Sequence, residues 1–192
     1  MPPAAPEATM TAEQYLAWER EQPARHEYFR GDVFAMAGGT PRHNALGAAV
    51  TIELGGALRG MPCRILSADQ RIIAGEQDHY VYADVSVVCG ELELHPGTAD
   101  VLRNPSVVVE VLSKSTEAYD RGLKWEAYRR IPSVQDYLLL SQGAPHVEHY
   151  RRDPAGEWRY RVAEAGGSVT LSNSATLDVD AIYAGVFDVA GE

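Results

Sequence analysis

"NPSVVVEVLSKSTEAYDRGLKWEAYRR", residues 104–130, begins as a buried β-strand and ends as an amphipathic helix. The apolar period changes from two to nearly four after Leu112, Ser115 or Thr116 can cap the helix, and Pro132 stands just past its end. In the middle of the apolar run from Ser106 to Leu112 sits Glu110. An ionised carboxylate taken from water into a sheet costs several kcal/mol unless it is paired, hydrogen-bonded or bound to a metal. Glu110 therefore requires a partner.

The best neighbour is Asp84, in the strand-like run "YVYADVSVVC". If the two strands pair, both carboxylates can occupy one face of the sheet at one level. Two such acids repel each other unless a proton or a cation lies between them, and oxygen ligands of this kind suit Mg²⁺ or Mn²⁺. The alternative is structural: one acid pairs with Arg64, Arg71 or Arg103, and the other reaches solvent at a strand end.

Asp120, Lys124 and Tyr128 are spaced four apart, forming a helical stripe beside the apolar Tyr119, Leu123, Ala127 and Ile131. A lysine there can lean over the strand that carries Glu110, orient a water and stabilise charge on a phosphate. Taken alone, Asp120 and Lys124 read as an exposed ion pair of the ordinary helix-surface kind. Glu27, in "RHEYF", and His43 are auxiliary candidates. His43 lies in the first turn of a helix opened by Thr40 and Pro41, where the helix N-terminus lowers an imidazole's pKa and suits it to a neutral role. The remaining histidines lack metal-ligand spacing.

Elsewhere, "TAEQYLAWEREQ" predicts a helix capped by Thr11 with Gln14 three residues on. "RHEYFRGDVFAMAG" predicts a hairpin turning at Gly31-Asp32, and a helix runs from Thr40 to about Arg59 with Leu46, Val50, Leu54 and Leu58 at helical spacing. "CRILS", "QRIIAG" and "YVYADVSVVC" predict strands, followed by a loop, "GELELHPGTADVLRN". "VQDYLLLS", "HVEHYRRD", "EWRYRVAEA" and "SVTLS" predict successive antiparallel strands, and "LDVDAIYAGVF" a closing helix. The pattern is a mixed α/β domain around one sheet. Residues 1–10, opening "MPPAAPEA", read as a flexible lead-in, and residues 11–192 as a single domain.

The chain of 192 residues is 45% hydrophobic, enough for a real core. Seventeen Lys and Arg against 27 Asp and Glu give a net charge of -10, which argues against long-range collection of a polyanion but not against acids that bind a cation. Cys63 and Cys89, in apolar stretches without metal-like spacing, read as reduced core thiols. No membrane span or signal segment is evident, so a cytoplasmic location is expected.

"HEYFRGDVFAMAGGTPRHNAL", "YADVSVVC", "VVVEVLSKST", "YDRGLKWEAYRR" and "VQDYLLL", in this order, resemble the Uma-two family of restriction-type endonucleases, a branch of the PD-(D/E)XK superfamily. The resemblance spans roughly Thr11 to the final helix. It implies a restriction-endonuclease-like central mixed β-sheet flanked by helices, with metal-binding acids on neighbouring strands. Asp84 then matches the motif aspartate, Glu110 the motif glutamate, Glu27 the early glutamate and His43 the histidine after it. The superfamily lysine would stand two residues after the glutamate, where this chain has Leu112. Lys124 matches the lysine displaced to the following helix, and Lys114 is an alternative standing where the family has proline. Ala83 replaces the proline before the aspartate.

The resemblance implies hydrolysis of DNA phosphodiester bonds with Mg²⁺ or Mn²⁺ held by Asp84, Glu110 and the Val111 carbonyl, aided by Lys124, in a homodimer. A second hypothesis keeps the fold as a binding or assembly module without turnover. The acidic balance favours it, and "HYRRDPAGEWRYR", with Arg151, Arg152, Arg159 and Arg161, reads most simply as a solvated sheet face, with a DNA-facing edge as the alternative. A carboxylate-pair glycosidase would leave the strand-then-helix lysine without a role.

Overall fold

A computed structural model describes residues 7–74 and 79–191. Residues 1–6 of the expected lead-in, and the end of "QRIIAG", lie outside the described residues. The strands divide into two six-stranded mixed sheets, rather than the single sheet expected, with helices between and around them. The division has a local cause. The apolar run "YVYADVSVVC" breaks at Ala83-Asp84 into β6 (His79–Tyr82) and β7 (Val85–Cys89), and each half joins a different sheet.

The first sheet holds β1 (Ala8–Thr9), β3 (Asp32–Ala35), β2 (His26–Phe29), β6, β5 (Arg71–Ile73) and β8 (Val101–Leu102), in that order. β1 pairs with β3, so the lead-in is shorter than predicted, and β8 lies in the segment expected to be a loop. The β2–β3 hairpin turns at Arg30 and Gly31, one residue before the expected position. Both have positive φ, 50° and 102°, the left-handed geometry that two-residue hairpins require.

The second sheet runs β12 (Trp158–Glu164), β11 (His146–Arg152), β10 (Asp136–Leu140), β9 (Val107–Val111), β7 and β4 (Cys63–Ser67). β10 is parallel to β9, because a helical crossover joins them, and from β10 through β11 to β12 the strands run antiparallel as expected. Every residue of β9 and β10 is buried, as the "VVVEV" and "DYLLL" runs require of strands covered on both faces. A two-stranded ribbon, β13 (Ser168–Thr170) and β14 (Thr176–Asp178), leads into α5 (Val179–Tyr183), so only part of "LDVDAIYAGVF" is helical.

Apolar faces set the layers. α2 (Pro41–Ala57) buries Leu46, Val50 and Leu54 against Val109 and Leu138 of the second sheet. On the opposite face Val108 and Leu139 pack with Tyr128 and with Ile72 and Val81 of the first sheet. α1 (Ala12–Glu19), closed by the expected Thr11–Gln14 capping box, covers the first sheet with Tyr15. Among the described residues, no helix is long and apolar enough to cross a membrane.

Cys63 and Cys89 are not reduced core thiols. They face each other across the antiparallel β4–β7 pair with Cα atoms 4.0 Å apart and form a disulfide at the sheet edge, where Cys89 is exposed.

Candidate active site

The β7–β9 register places Val85 opposite Val109, so the corner residue Asp84 falls at the level of Glu110. Asp84 Oδ2 accepts a hydrogen bond from the Val111 amide at 2.7 Å. Asp84 thus lies not within a strand but at the bend between the sheets.

The helix after Glu110 is continuous but uneven: α3 (Glu117–Tyr119), a π-helical turn (Asp120–Lys124) and α4 (Trp125–Tyr128). Such turns widen the helix locally and occur frequently at functional sites. The Asp120, Lys124 and Tyr128 stripe is buried and faces Glu110, so the surface ion pair that Asp120 and Lys124 suggest in isolation is not what forms. Lys124 Nζ donates to the Tyr82 carbonyl at 3.0 Å and to Glu110 Oε1 at 3.1 Å, and lies 3.0 Å from Glu27 Oε1. The ammonium thus makes two hydrogen bonds and a close ion pair. Asp120 Oδ1 is 3.8 Å away, and the Tyr128 hydroxyl donates to Glu110 Oε1 at 3.1 Å. Arg71, by contrast, serves Tyr82 and Asp100, Arg64 serves the Gly90 carbonyl, and Arg103 serves Glu93.

Three carboxylates, Glu27, Glu110 and Asp120, thus surround one ammonium, and the cluster retains protons tightly. Burial, opposed by Lys124 and reinforced by the neighbouring acids, raises Glu110 well above the usual carboxyl range. Burial also pushes Asp120 up to about 6. Burial disfavours the Lys124 ammonium, but Glu110 and Glu27 more than reverse this, and it stays protonated.

His43 Nε2 stands 3.4 Å from Asp84 Oδ2, and its ring also interacts with the Val111 backbone. Burial works against its charge, but the bond to Asp84 prevails and raises its pKa, opposite to the lowering expected from the helix N-terminus. Burial raises Asp84 less than His43 and the Val111 amide lower it, leaving it below the ordinary value. Gly39 makes room for this ring: a Cβ there would meet His43 Nδ1 at 2.6 Å.

Glu27, His43, Asp84, Glu110, Val111 and Lys124 line a cavity of about 280 Å³, together with the end of β3 and the loop from Met36 to Thr40. Lys114 is exposed and outside that lining. Sequence reasoning missed the Tyr82 carbonyl, which carries no side-chain signal, and Tyr119, whose hydroxyl lies 2.9 Å from His79 Nε2. It also passed over Gly39, although "GGTPRHN" signalled a close approach. Among the described residues, no group of three or more His, Cys, Asp and Glu closes into a metal cage by itself. Asp84, Glu110 and Val111 line the cavity together, and carboxylate and carbonyl oxygens are the ligand type that Mg²⁺ takes.

The family model Uma2, described as "Putative restriction endonuclease", matches residues 12–181. "Uncharacterized protein slr1290" of Synechocystis sp. is 35% identical over 185 residues, 96% of each chain. "Uncharacterized protein sll1609" of the same organism is 32% identical over 149 residues, 78% of this chain and 84% of that one. A crystal structure of a "putative nuclease belonging to DUF820" from Anabaena variabilis shares the fold, with a TM-score of 0.75, 16% identity, and coverage of 92% of this chain and 99% of that one.

Proposed function

The chain belongs to the Uma2 family, and from that membership and its buried charge cluster we propose a divalent-metal-dependent nuclease that hydrolyses phosphodiester bonds of DNA. The observation that carries this reading is the charge imbalance: Glu27, Glu110 and Asp120 meet a single ammonium in the lining of a cavity that Asp84 also lines. A divalent cation would be the natural complement. Asp84 and Glu110, with the Val111 carbonyl, would hold Mg²⁺ or Mn²⁺. A bound ion would supply an acidified water and neutralise the scissile phosphate.

The chain's own groups do the rest. Lys124 holds Glu110 and Glu27 in place, offsets their charge and orients the attacking water. Tyr128 fixes the Glu110 carboxylate through its hydroxyl. Asp120 and Tyr119 fill the wall beside Lys124, and His43 holds Asp84 from the opposite side. The expected homodimer would supply a second site for the second strand, and light scattering in solution tests it.

A binding module without turnover is favoured by one feature. Lys124 already makes two hydrogen bonds and a close ion pair within the protein, as in a purely structural cluster. Calorimetric titration of Mn²⁺ into wild type, Asp84→Ala and Glu110→Ala decides between the two, followed by cleavage assays on DNA. Saturable binding lost in both variants, together with metal-dependent cleavage by wild type, is expected. Identical titrations in all three proteins would favour the module.

A further inference from the structure

The arginine-rich stretch "HYRRDPAGEWRYR" is split by the β11–β12 pairing into two faces. Glu110, Leu139, Glu148 and Val162 are successive partners across the second sheet and share the face of the candidate active site. Val109, Leu138, His149 and Arg161 are the next row, and Val107, Asp136, Arg151 and Arg159 the row two residues further along. Because side chains alternate along a strand, these two rows share the opposite face. Arg151, Arg159, Arg161 and His149 therefore lie away from Glu110.

On that far face they line a groove of about 400 Å³, closed on one side by Ser168 and Thr170 of β13. This is not the flat solvated surface the alternation suggests. Its charge is locally the reverse of the chain's net -10. Asp153 answers Arg159 at 3.0 Å, but Arg151 spends one donor only on the Thr170 carbonyl, at 3.3 Å. Arg161 meets no acceptor among the described residues. Elsewhere Arg20, Arg121 and Arg129 rest against carboxylates. The floor is rigid: buried Asp136 holds His149 Nε2 at 2.8 Å and anchors Ser172, through its amide and its hydroxyl, at the end of the β13 ribbon.

We infer that this groove binds a phosphate group, with the Arg151 and Arg161 guanidinium groups donating to its oxygens. Guanidinium forks match phosphate oxygens in geometry as well as charge. Apart from His149 the lining has no aromatic ring, so the groove offers no stacking platform for a base, and recognition falls on the phosphate itself. The same chemistry is presented by a small phosphorylated compound and by the phosphodiester backbone of a nucleic acid. The site is separate from the metal-binding reading and does not depend on it.

The test is made in EDTA, so that neither metal binding nor cleavage contributes. Arginine side-chain N–H signals are followed by NMR while inorganic phosphate is added at constant ionic strength. Binding of a labelled DNA duplex is measured by anisotropy over a range of salt. Wild type, Arg161→Ala, Arg161→Lys and Arg151→Ala are compared, and Arg161, exposed and without an internal acceptor, can be removed without unfolding the chain. Saturable binding of either probe by wild type is expected, weakened about fivefold or more by Arg161→Ala and less by Arg161→Lys. Weakening for phosphate alone identifies a small phosphorylated ligand. Weakening for the duplex, with a reduced salt slope, identifies a nucleic-acid backbone. No saturable binding, or affinities unchanged in Arg161→Ala, overturns the inference.

Discussion

Asp84 and Val111 are joined by a 2.7 Å hydrogen bond from the Val111 amide to the Asp84 carboxylate. The bond fastens the bend between the two sheets to the last residue of the strand that carries Glu110. Position and charge at the site are thus set together, and this makes several substitutions informative.

Lys124→Met leaves Glu27, Glu110 and Asp120 without their shared cation. Breaking a buried pair by removing one partner costs about 3–5 kcal/mol, and urea denaturation near neutral pH should read a loss of this size. The loss should shrink as the pH is lowered, because Glu110 and Asp120, both raised, take up protons and no longer need the ammonium. Cleavage should disappear while Mn²⁺ binding survives. An unchanged denaturation midpoint would mean that the ammonium contributes nothing net.

Gly39→Ala places a methyl group against the His43 ring, 2.6 Å from Nδ1 and 3.0 Å from Cγ. The ring must move, and its contact with Asp84 goes with it. Overpacking of this kind costs about 1–3 kcal/mol. The His43 pKa, raised by Asp84, should fall when followed by NMR. A titration identical to wild type would show that the ring keeps its place.

His79 is buried beside Tyr119 and Lys124, and burial first, then the Lys124 charge, pushes its pKa down to about 3. The unfolded chain protonates this histidine near pH 6.5, the folded chain only near 3. Stability is therefore complete above the unfolded value and declines as pH falls toward the folded one, by on the order of 2 kcal/mol at about pH 5. Asp120 works in the opposite sense, its contribution being lost as pH rises toward about 6, but it is common to both proteins and cancels in a comparison. Wild type should lose stability more steeply than His79→Gln between about pH 6 and pH 4. Parallel curves would refute the assignment.

The Cys63–Cys89 bridge spans a sequence separation of 26 residues. Closing a loop of that size stabilises the fold by about 3 kcal/mol on a chain-entropy account. Reductant should lower the urea midpoint of wild type and leave a Cys63→Ser, Cys89→Ser double variant unaffected. If wild type ignores reductant, the bridge carries no stability.

Much of the site was legible because its signals are local. A lone acid in "SVVVEVL" demands a partner, and four-residue spacing puts Asp120, Lys124 and Tyr128 on one stripe whatever lies opposite. Glu27 and His43, auxiliary candidates that the resemblance also matches, both line the cavity. What escaped is set by distant pairing. Nothing within "YVYADVSVVC" says that its halves join different sheets, since both are equally apolar. The Cys63–Cys89 bridge follows only from the β4–β7 register, and the burial of Lys124 only from the first sheet lying against its helix. The sign of the His43 shift also depended on a partner 41 positions away (84 minus 43), which outweighed the nearby helix terminus.

Lys124 bridges Glu27, which belongs to the first sheet, and Glu110, which belongs to the second. The charge cluster is therefore a clasp between layers rather than a property of either one. If the first sheet opens as a cooperative unit, Glu27 and the Tyr82 carbonyl depart together and Lys124 loses two of its close partners. The assembled site then exists only in the fraction of molecules whose two layers are docked. Whatever shifts that docking changes how many working copies are present, without altering any one of them.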